Sequence, residues 1–267
     1  MAENQVIQGY WEPHTARADW CEQNYEVSYH VAEFWNTVSN IFIFVPGIIG
    51  LIQCIRNGTE SRFAVGYLAI ISVSVGSILF HMTLHLTMQL FDQLPMVWAI
   101  TVYMFCLIET QSPQHSKTIL LPSVLFLGSV VITIVTIVSP TPFLFRTSFF
   151  INLMVVVVLS IHSARHHRCN TSYLLLALMF FIIAGLCWVT DRFFCPELRE
   201  IRGFLPNYAQ PLLQLHAWWH VFSGLGTAFH AVFIYDLRSK FLRHKPSLKK
   251  LFGIFPYLDV KKDSHII

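Results

Sequence analysis

Long apolar runs separated by short polar stretches dominate this chain. Seven of them have roughly the 17 to 25 residues that a helix needs to cross a hydrocarbon layer of about 30 Å. They extend over Phe34–Ile55, Phe63–Met82, Leu90–Leu107, Ile119–Val138, Phe143–Ile161, Ser172–Trp188 and Leu212–Tyr235. The pattern predicts an all-α integral membrane protein, a bundle of seven transmembrane helices joined by short loops.

The composition excludes several other classes of protein. Of the 267 residues, 54% are hydrophobic and 12% are charged, whereas soluble proteins average about 25% charged residues. This balance argues against a soluble globule, a disordered chain or a coiled coil. A net charge of +3, with basic residues collected at the C-terminus, also argues against a nucleic-acid partner.

Three regions follow from this pattern. Residues 1–33 contain six acidic side chains and lack the apolar core of a cleavable signal peptide, so we expect a structured N-terminal segment. Residues 34–235 form the predicted helix bundle, and residues 236–267 form a basic tail.

The distribution of Lys and Arg orients the bundle. With seven spans, 13 of the 18 basic side chains share a membrane side with the C-terminal tail. The other five are Arg17, Arg146, Arg192, Arg199 and Arg202. Cytosolic loops carry the excess of positive charge, so the prediction is a lumenal N-terminus and a cytosolic C-terminus.

The cysteines are consistent with that orientation. Of the six, only Cys21 and Cys195 fall on the predicted lumenal side, where an oxidising compartment would join them. The alternative is a pair of buried free thiols.

Polar side chains inside the spans point to a metal site. His81 ends the second span, Asp92 opens the third, and His216 and His220 lie one helical turn apart in the seventh. In the predicted topology all four lie near the lumenal face. Three imidazoles with an open fourth position are typical of catalytic zinc. The alternative is that these histidines cap helices or bond each other without a metal.

Two neighbours complete this constellation. Asp92 is positioned to accept a hydrogen bond from a zinc-bound water and act as a general base. Ser77 lies four residues before His81, on the same helix face, where it can steady a polarised oxygen. His85 shares that face but follows the end of the span, so we place it in a loop.

Oxygen-bearing side chains cluster in the N-terminal segment. Asp19, Glu22 and Asn24 lie within six residues of one another, and Glu33 follows. Such a donor set suits calcium, which takes six to eight oxygen ligands. The spacing does not match an EF-hand, and the alternative is a solvated acidic segment.

Taken together, these motifs resemble the alkaline ceramidase family. The matching stretches are Asp19–Asn24, Ala32–Asn40, Phe80–Leu84, Gln89–Met96 and Leu215–His220. The C-terminal stretch Phe252–Pro256 is similar to that of the type 3 branch. Two positions depart from the family pattern: Gln93 stands where relatives tend to carry Glu, and His85 where we would expect Lys.

The resemblance implies a seven-helix fold and specific ligand sets. Zinc would be held by His81, His216 and His220, with Asp92 and Ser77 beside its water. The implied calcium ligands are Asp19, the Trp20 carbonyl, Glu22, Asn24 and Glu33. The resemblance also supports the Cys21–Cys195 bridge.

The implied activity is hydrolysis of the N-acyl amide of ceramides to a sphingoid base and a fatty acid. Ceramide, including its phytoceramide and dihydroceramide types, would be the lipid partner. The implied location is the membrane of the endoplasmic reticulum and Golgi. A zinc-containing seven-helix receptor of the adiponectin-receptor type is the alternative, and a transporter is a weaker one.

Overall fold

Helices dominate the computed structural model, which describes residues 8–113, 119–139 and 141–261. The helices are α1 (Phe34–Ser39), α2 (Ile41–Asn57), α3 (Ser61–Thr83), α4 (Leu86–Ile108), α5 (Leu120–Val138), α6 (Phe143–His166), α7 (Thr171–Phe193), α8 (Cys195–Phe204) and α9 (Leu215–Phe241). Strands β1 (Lys245–Leu251) and β2 (Phe255–Lys261) form one antiparallel hairpin. Short 3₁₀ turns cover Glu109–Gln111 and Gln210–Leu213.

Six helical segments in the described ranges are long and apolar enough to cross a membrane. They correspond to the first six predicted spans, and α1 and α2 together make the first. Their outer surfaces are strongly apolar: Leu120, Phe126 and Val138 on α5 are 76%, 66% and 72% exposed. Such a surface suits contact with lipid rather than water. The chain is a multi-pass membrane protein.

Helix α9 is the counterpart of the seventh predicted span, but it is not among those six. Its histidines, tryptophans and terminal charges lower its hydropathy. The helix packs mainly against α7 and α2, and nearly every residue from Gly224 to Ser239 is buried. A helix surrounded by protein needs little lipid-facing apolar surface, which explains its composition. The seventh span therefore stays a prediction.

Three features differ from the sequence-based expectation. The first predicted span is divided at Asn40, which separates α1 from α2. Helix α8 follows α7 directly and is too short and polar to have been predicted as a span. The tail adds a hairpin to a fold predicted to be all-α, and its Phe255 ring packs 5.8 Å from that of Phe42.

Two glycines allow helices to approach closely beside the predicted site. A side chain at Gly76 on α3 would meet the Phe91 carbonyl oxygen of α4 at 2.1 Å. At Gly224 on α9, it would meet the Phe42 carbonyl oxygen of α2 at 2.3 Å. Small residues at such crossings let helix backbones touch within membranes. The first crossing brings α4, which carries Asp92, against α3, which carries Ser77.

Candidate metal centre

Three histidines from two helices meet at one end of the bundle. His81 lies in the last turn of α3, and His216 and His220 project from one face of the first turns of α9. Each offers a ring nitrogen within 4.8 Å of the others, and each side chain is buried. No other trio of His, Cys, Asp or Glu side chains in the described ranges meets that criterion. We call these three residues the histidine triad.

Hydrogen bonds fix two of the three imidazoles. His81 Nδ1 lies 2.5 Å from Glu33 Oε2, and His220 Nδ1 lies 2.8 Å from the Ser39 hydroxyl. With Nδ1 engaged, Nε2 of each ring is available as a ligand. Carboxylate and hydroxyl partners of this kind orient metal-binding histidines and set their tautomers.

The third imidazole has an unpaired nitrogen. His216 Nδ1 is buried and has no hydrogen-bond partner. The Trp20 ring stacks on His216 at 3.7 Å between centroids, with 15° between the planes, and so covers this side of the triad. A buried polar nitrogen without a partner is costly. The triad therefore has the nitrogen donors, the spacing and the unmet bonding capacity of a metal site.

Asp191 on α7 positions the start of α9, a role that the sequence did not reveal. One of its carboxylate oxygens accepts a hydrogen bond from the His216 backbone N–H at 3.2 Å. The other accepts from the Cys21 N–H at 3.1 Å. The same carboxylate thus joins the N-terminal segment, α7 and the helix that carries two of the histidines.

Asp92 and Ser77 lie on neighbouring helices beside the triad. Asp92 is in the second turn of α4, and the Ser77 side chain of α3 faces its carboxylate. Both line a cavity of about 220 Å³ together with His216 and His220. The structure thus brings these predicted site residues to one cavity. Because Ser77 faces Asp92, it is placed to orient that carboxylate.

Two of the predicted calcium ligands, Glu22 and Glu33, form hydrogen bonds at the start of α1. Glu22 accepts hydrogen bonds from the backbone N–H groups of Trp35 and Asn36 at 2.7 and 2.9 Å. Glu33 Oε1 accepts one from the Trp20 N–H at 3.1 Å. These bonds cap the short helix and tie the N-terminal segment to it.

The electrostatics of this segment favour a cation. Burial raises the pKa of Glu22 to about 8. Burial and the adjacent Asp19 carboxylate raise the pKa of Glu33 well above its ordinary range. In addition, the buried Asn24 Oδ1 has no hydrogen-bond partner. The Asp19 and Glu33 carboxylates are thus crowded together, and a hard cation with oxygen ligands would relieve their repulsion.

A disulfide joins Cys21 to Cys195, as the sequence predicted. It ties the N-terminal segment to the start of α8. Arg202 of α8 strengthens the connection, because its guanidinium donates to the Cys21 carbonyl at 2.6 Å and to Gln214 Oε1 at 2.5 Å. The segment that carries Trp20 is therefore held against α8 and the start of α9.

The two departures from the family pattern lie at different places. His85 caps α4 and its Nε2 lies 2.9 Å from the Trp11 carbonyl oxygen, in the loop position that we expected. Gln93 lines the same cavity as its neighbour Asp92.

Comparisons with known proteins identify the family. Residues 12–258 match the Ceramidase family. The chain is 38% identical to alkaline ceramidase 3 of Mus musculus over 249 residues, which cover 93% of each chain. It is 29% identical to an alkaline ceramidase of Arabidopsis thaliana over 259 residues, 96% of this chain and 97% of the relative. An alkaline ceramidase of Saccharomyces cerevisiae is 28% identical over 252 residues, 87% of this chain and 79% of the relative.

The chain belongs to the ceramidase family. The match over residues 12–258 includes the N-terminal segment from Glu12 onward, the triad and β1. The resemblance drawn from five separate motifs is thereby confirmed over nearly the whole chain. Asp92, Ser77 and two of the triad histidines, His216 and His220, thus line one cavity in a membrane protein of a hydrolase family.

Proposed function

We propose that this protein is a zinc-dependent intramembrane amidohydrolase that cleaves the N-acyl amide of ceramides, including phytoceramide and dihydroceramide types. Family membership supports a ceramidase, and the histidine triad beside Asp92 and Ser77 supports the mechanism. The single observation that carries the proposal is the joint lining of one cavity by two triad histidines and Asp92. A carboxylate beside a three-histidine site is what metal-assisted hydrolysis requires.

His81, His216 and His220 would hold the zinc ion. When bound, zinc supplies Lewis-acid chemistry and lowers the pKa of water toward about 7. The protein's own contribution is orientation: Glu33 fixes the His81 ring, Ser39 fixes the His220 ring, and Trp20 covers the His216 ring.

Asp92 performs the proton transfers. As water adds to the amide carbon, the Asp92 carboxylate takes up a proton. It returns the proton to the amide nitrogen as the carbon–nitrogen bond breaks, which releases a free sphingoid base and a fatty acid. Ser77, which faces this carboxylate, orients it for both transfers.

The cavity suits a substrate with long hydrocarbon chains. Aromatic and aliphatic side chains, many of them on α4, α6 and α7, make up most of its wall. Helices α6 and α7 both line it and pack only weakly against each other, so lipid can enter between them. A ceramide has its amide near the membrane surface and its chains in the hydrocarbon layer, which matches a polar site above an apolar cavity.

Calcium would bind at Asp19, the Trp20 carbonyl, Glu22, Asn24 and Glu33. The unpaired Asn24 Oδ1 and the crowding of the Asp19 and Glu33 carboxylates support this proposal. We assign calcium a structural role, because these groups hold the N-terminal segment against α1 and none of them besides Trp20 lines the cavity.

The proposed topology has seven spans, with α9 as the seventh. The N-terminus and the disulfide would be lumenal, in the endoplasmic reticulum and Golgi, and the basic tail cytosolic. The excess of Lys and Arg on the tail side supports this orientation. A disulfide requires an oxidising compartment, which supports a lumenal position for Cys21 and Cys195.

Product analysis tests the proposal. Purified protein in detergent should release sphingoid base and fatty acid from ceramide, as measured by mass spectrometry. A chelator should abolish release, and added zinc should restore it. A well-folded, zinc-loaded preparation that releases no sphingoid base from any ceramide would instead favour the receptor alternative.

A further inference from the structure

The cavity has a closed end, and five helices each contribute a residue to it. On five helices the residues that line the cavity end at the same level, whereas α2 contributes only Ile43. This end layer consists of Ile70 on α3, Tyr103 on α4, Ser160 on α6, Leu174 on α7 and His230 on α9. We call these five residues the end layer.

Beyond the end layer the helices pack tightly. Val232, Phe233 and Ile234 on α9 are 2% exposed or less. They belong to one hydrophobic core cluster with Cys106 and Leu107 of α4. A chain that enters from the triad therefore meets a wall at this depth.

The end layer lies far from the triad. His230 follows His220 by ten residues in α9, or about 15 Å at 1.5 Å per residue. Tyr103 follows Asp92 by eleven residues in α4, which gives about 16 Å. Each value is close to half of the hydrocarbon thickness of about 30 Å. A hydrocarbon chain must therefore extend through about half of the hydrocarbon layer to reach from the triad to this layer.

A polar pair lies in the end layer of this mostly apolar cavity. His230 Nε2 and the Ser160 hydroxyl are 2.9 Å apart, and the two side chains are 8% and 0% exposed. Ser160 also donates to the Val156 carbonyl at 2.7 Å, so its oxygen accepts a hydrogen bond from His230. A buried ionisable side chain at mid-membrane is costly and usually functional. The histidine triad and Asp92 do not use this pair.

We propose that the end layer limits the length of the hydrocarbon chain that the cavity accepts, with His230 as its specificity-determining residue. The inference rests on the proposed ceramide substrate. Each methylene group that packs along the apolar wall adds van der Waals contacts, which improve transition-state binding as the chain lengthens. At the end layer the gain stops, because a longer chain presses methylene groups against the imidazole and hydroxyl.

A chain-length series tests this inference in the full-length protein in detergent. One series varies the acyl chain of ceramide with a fixed sphingoid base, and a second varies the base with a fixed acyl chain. For the wild type, kcat/KM should rise with length and then fall in one of the two series, which identifies the chain that reaches His230.

His230→Leu should move that maximum to longer chains. Two substrates are compared, the chain that the wild type hydrolyses best and a chain four carbons longer. The ratio of kcat/KM for the longer chain to that for the shorter chain should be about tenfold higher in His230→Leu than in the wild type. Ser160 keeps its bond to the Val156 carbonyl, so this variant leaves no buried hydroxyl unpaired. His230→Phe, which keeps an aromatic ring beside Phe233, serves if the leucine variant fails to fold.

Thr227→Val is the matched control. Thr227 lines the same wall of α9 nearly one turn closer to the triad, so its loss of polarity should leave the length of the maximum unchanged. Zinc content and melting temperature of each variant confirm an intact site.

The outcomes separate the two proposals. If the wild type hydrolyses ceramides but shows no maximum in either series, the inference is wrong and the proposed function stands. The same conclusion follows if folded His230→Leu or His230→Phe has its greatest kcat/KM at the same chain length as the wild type. It also follows if Thr227→Val shifts that chain length as much as the His230 variant does. If the wild type hydrolyses no ceramide of any length, the proposed function itself fails.

Discussion

Glu33 has two roles in one carboxylate. One oxygen accepts a hydrogen bond from the Trp20 backbone, and the other lies against His81 Nδ1 and the Asn36 amide. The sequence predicts Glu33 as a calcium ligand alone. The structure shows that Glu33 also contacts the proposed zinc ligand His81. The two proposed metal sites therefore share the Glu33 side chain.

This double role predicts different effects for two acidic residues. Glu33→Gln should weaken zinc binding by about 10- to 100-fold, the usual cost of losing the partner of a metal-binding histidine. It should also lower calcium binding. Glu22→Gln is the matched control, because the Glu22 carboxylate caps α1 through the backbone N–H groups of Trp35 and Asn36 and not through the triad.

Zinc and calcium titrations of the two apo variants measure these effects. Glu22→Gln should lose calcium affinity and melting temperature while zinc affinity stays normal. Equal zinc affinities in the two variants would show that Glu33 does not support His81.

The spacing of single residues in the sequence predicts the triad but not the residues that support it. His216 and His220 are one helical turn apart, and His81 ends a span on the same predicted side, so helix geometry brings them together. Glu33 and Asp191 are separated from their partners by 48 and 25 residues. No local spacing rule connects such pairs, and only the packing of the elements reveals them.

At the scale of elements, the crossing of α3 and α4 sets the geometry of the catalytic pair. Gly76 allows the two backbones to touch, and Ser77 and Asp92 are the next residues along these helices from the contact. A methyl group at position 76 has no free space, so the helices would have to separate.

Gly76→Ala is therefore expected to impair both stability and catalysis. Overpacking of this kind costs roughly 1–3 kcal/mol, so the melting temperature should fall by several degrees. Turnover of ceramide should fall more steeply than zinc content, because the shift separates Ser77 from Asp92 while the triad depends mainly on α9.

Gly185→Ala is a suitable control, since a side chain there would meet no atom within 4 Å. Wild-type turnover in Gly76→Ala would contradict the assigned importance of this crossing.

Hydropathy predicts long helices better than short elements. The first six spans are found within a few residues of their predicted ends. The division of the first span at Asn40 could not be predicted, because no Pro or Gly lies at that position. Helix α8 is amphipathic and only ten residues long, and the hairpin contains Pro246 and Pro256, which argue against strands. These elements depend on contacts with the helix bundle, and the local hydropathy pattern carries no information about such contacts.

At the scale of the whole molecule, an ionic network closes the end of the bundle opposite the triad. Glu60, between α2 and α3, pairs with Arg62 and with the buried Arg238 of α9. Arg238 also donates to the Thr110 carbonyl at 3.0 Å. The network thus joins the ends of α9 and α4 to the loop between α2 and α3.

This network predicts a pH-dependent stability. Burial alone would raise the pKa of Glu60, but hydrogen bonds from Arg238 and Arg62 outweigh it and hold the pKa below 4.5. A carboxylate with a lowered pKa stabilises the fold above its unfolded pKa, and this contribution is lost as pH falls through the folded value. Glu60→Gln should cost roughly 1–3 kcal/mol near pH 7, because Arg238 loses its charged partner.

Melting temperatures in detergent from about pH 7 to pH 3 check this prediction. The difference between wild type and Glu60→Gln should shrink as pH falls below 4.5. The exposed Glu200 supplies a control, Glu200→Gln, for general charge effects. A difference that stays constant with pH would rule out the ionised Glu60 as its source.

The central claim is that three histidines hold zinc while Asp92 moves protons. It is tested most directly by zinc stoichiometry and ceramide turnover measured together on Asp92→Asn and His220→Ala. Asn is nearly isosteric with Asp but takes up no proton at neutral pH, and general-base catalysis contributes about 10²- to 10⁴-fold. The account predicts that Asp92→Asn keeps its zinc and loses at least about 10²-fold in turnover, whereas His220→Ala loses zinc and activity together. Wild-type turnover in Asp92→Asn, or full zinc occupancy in His220→Ala, would contradict it.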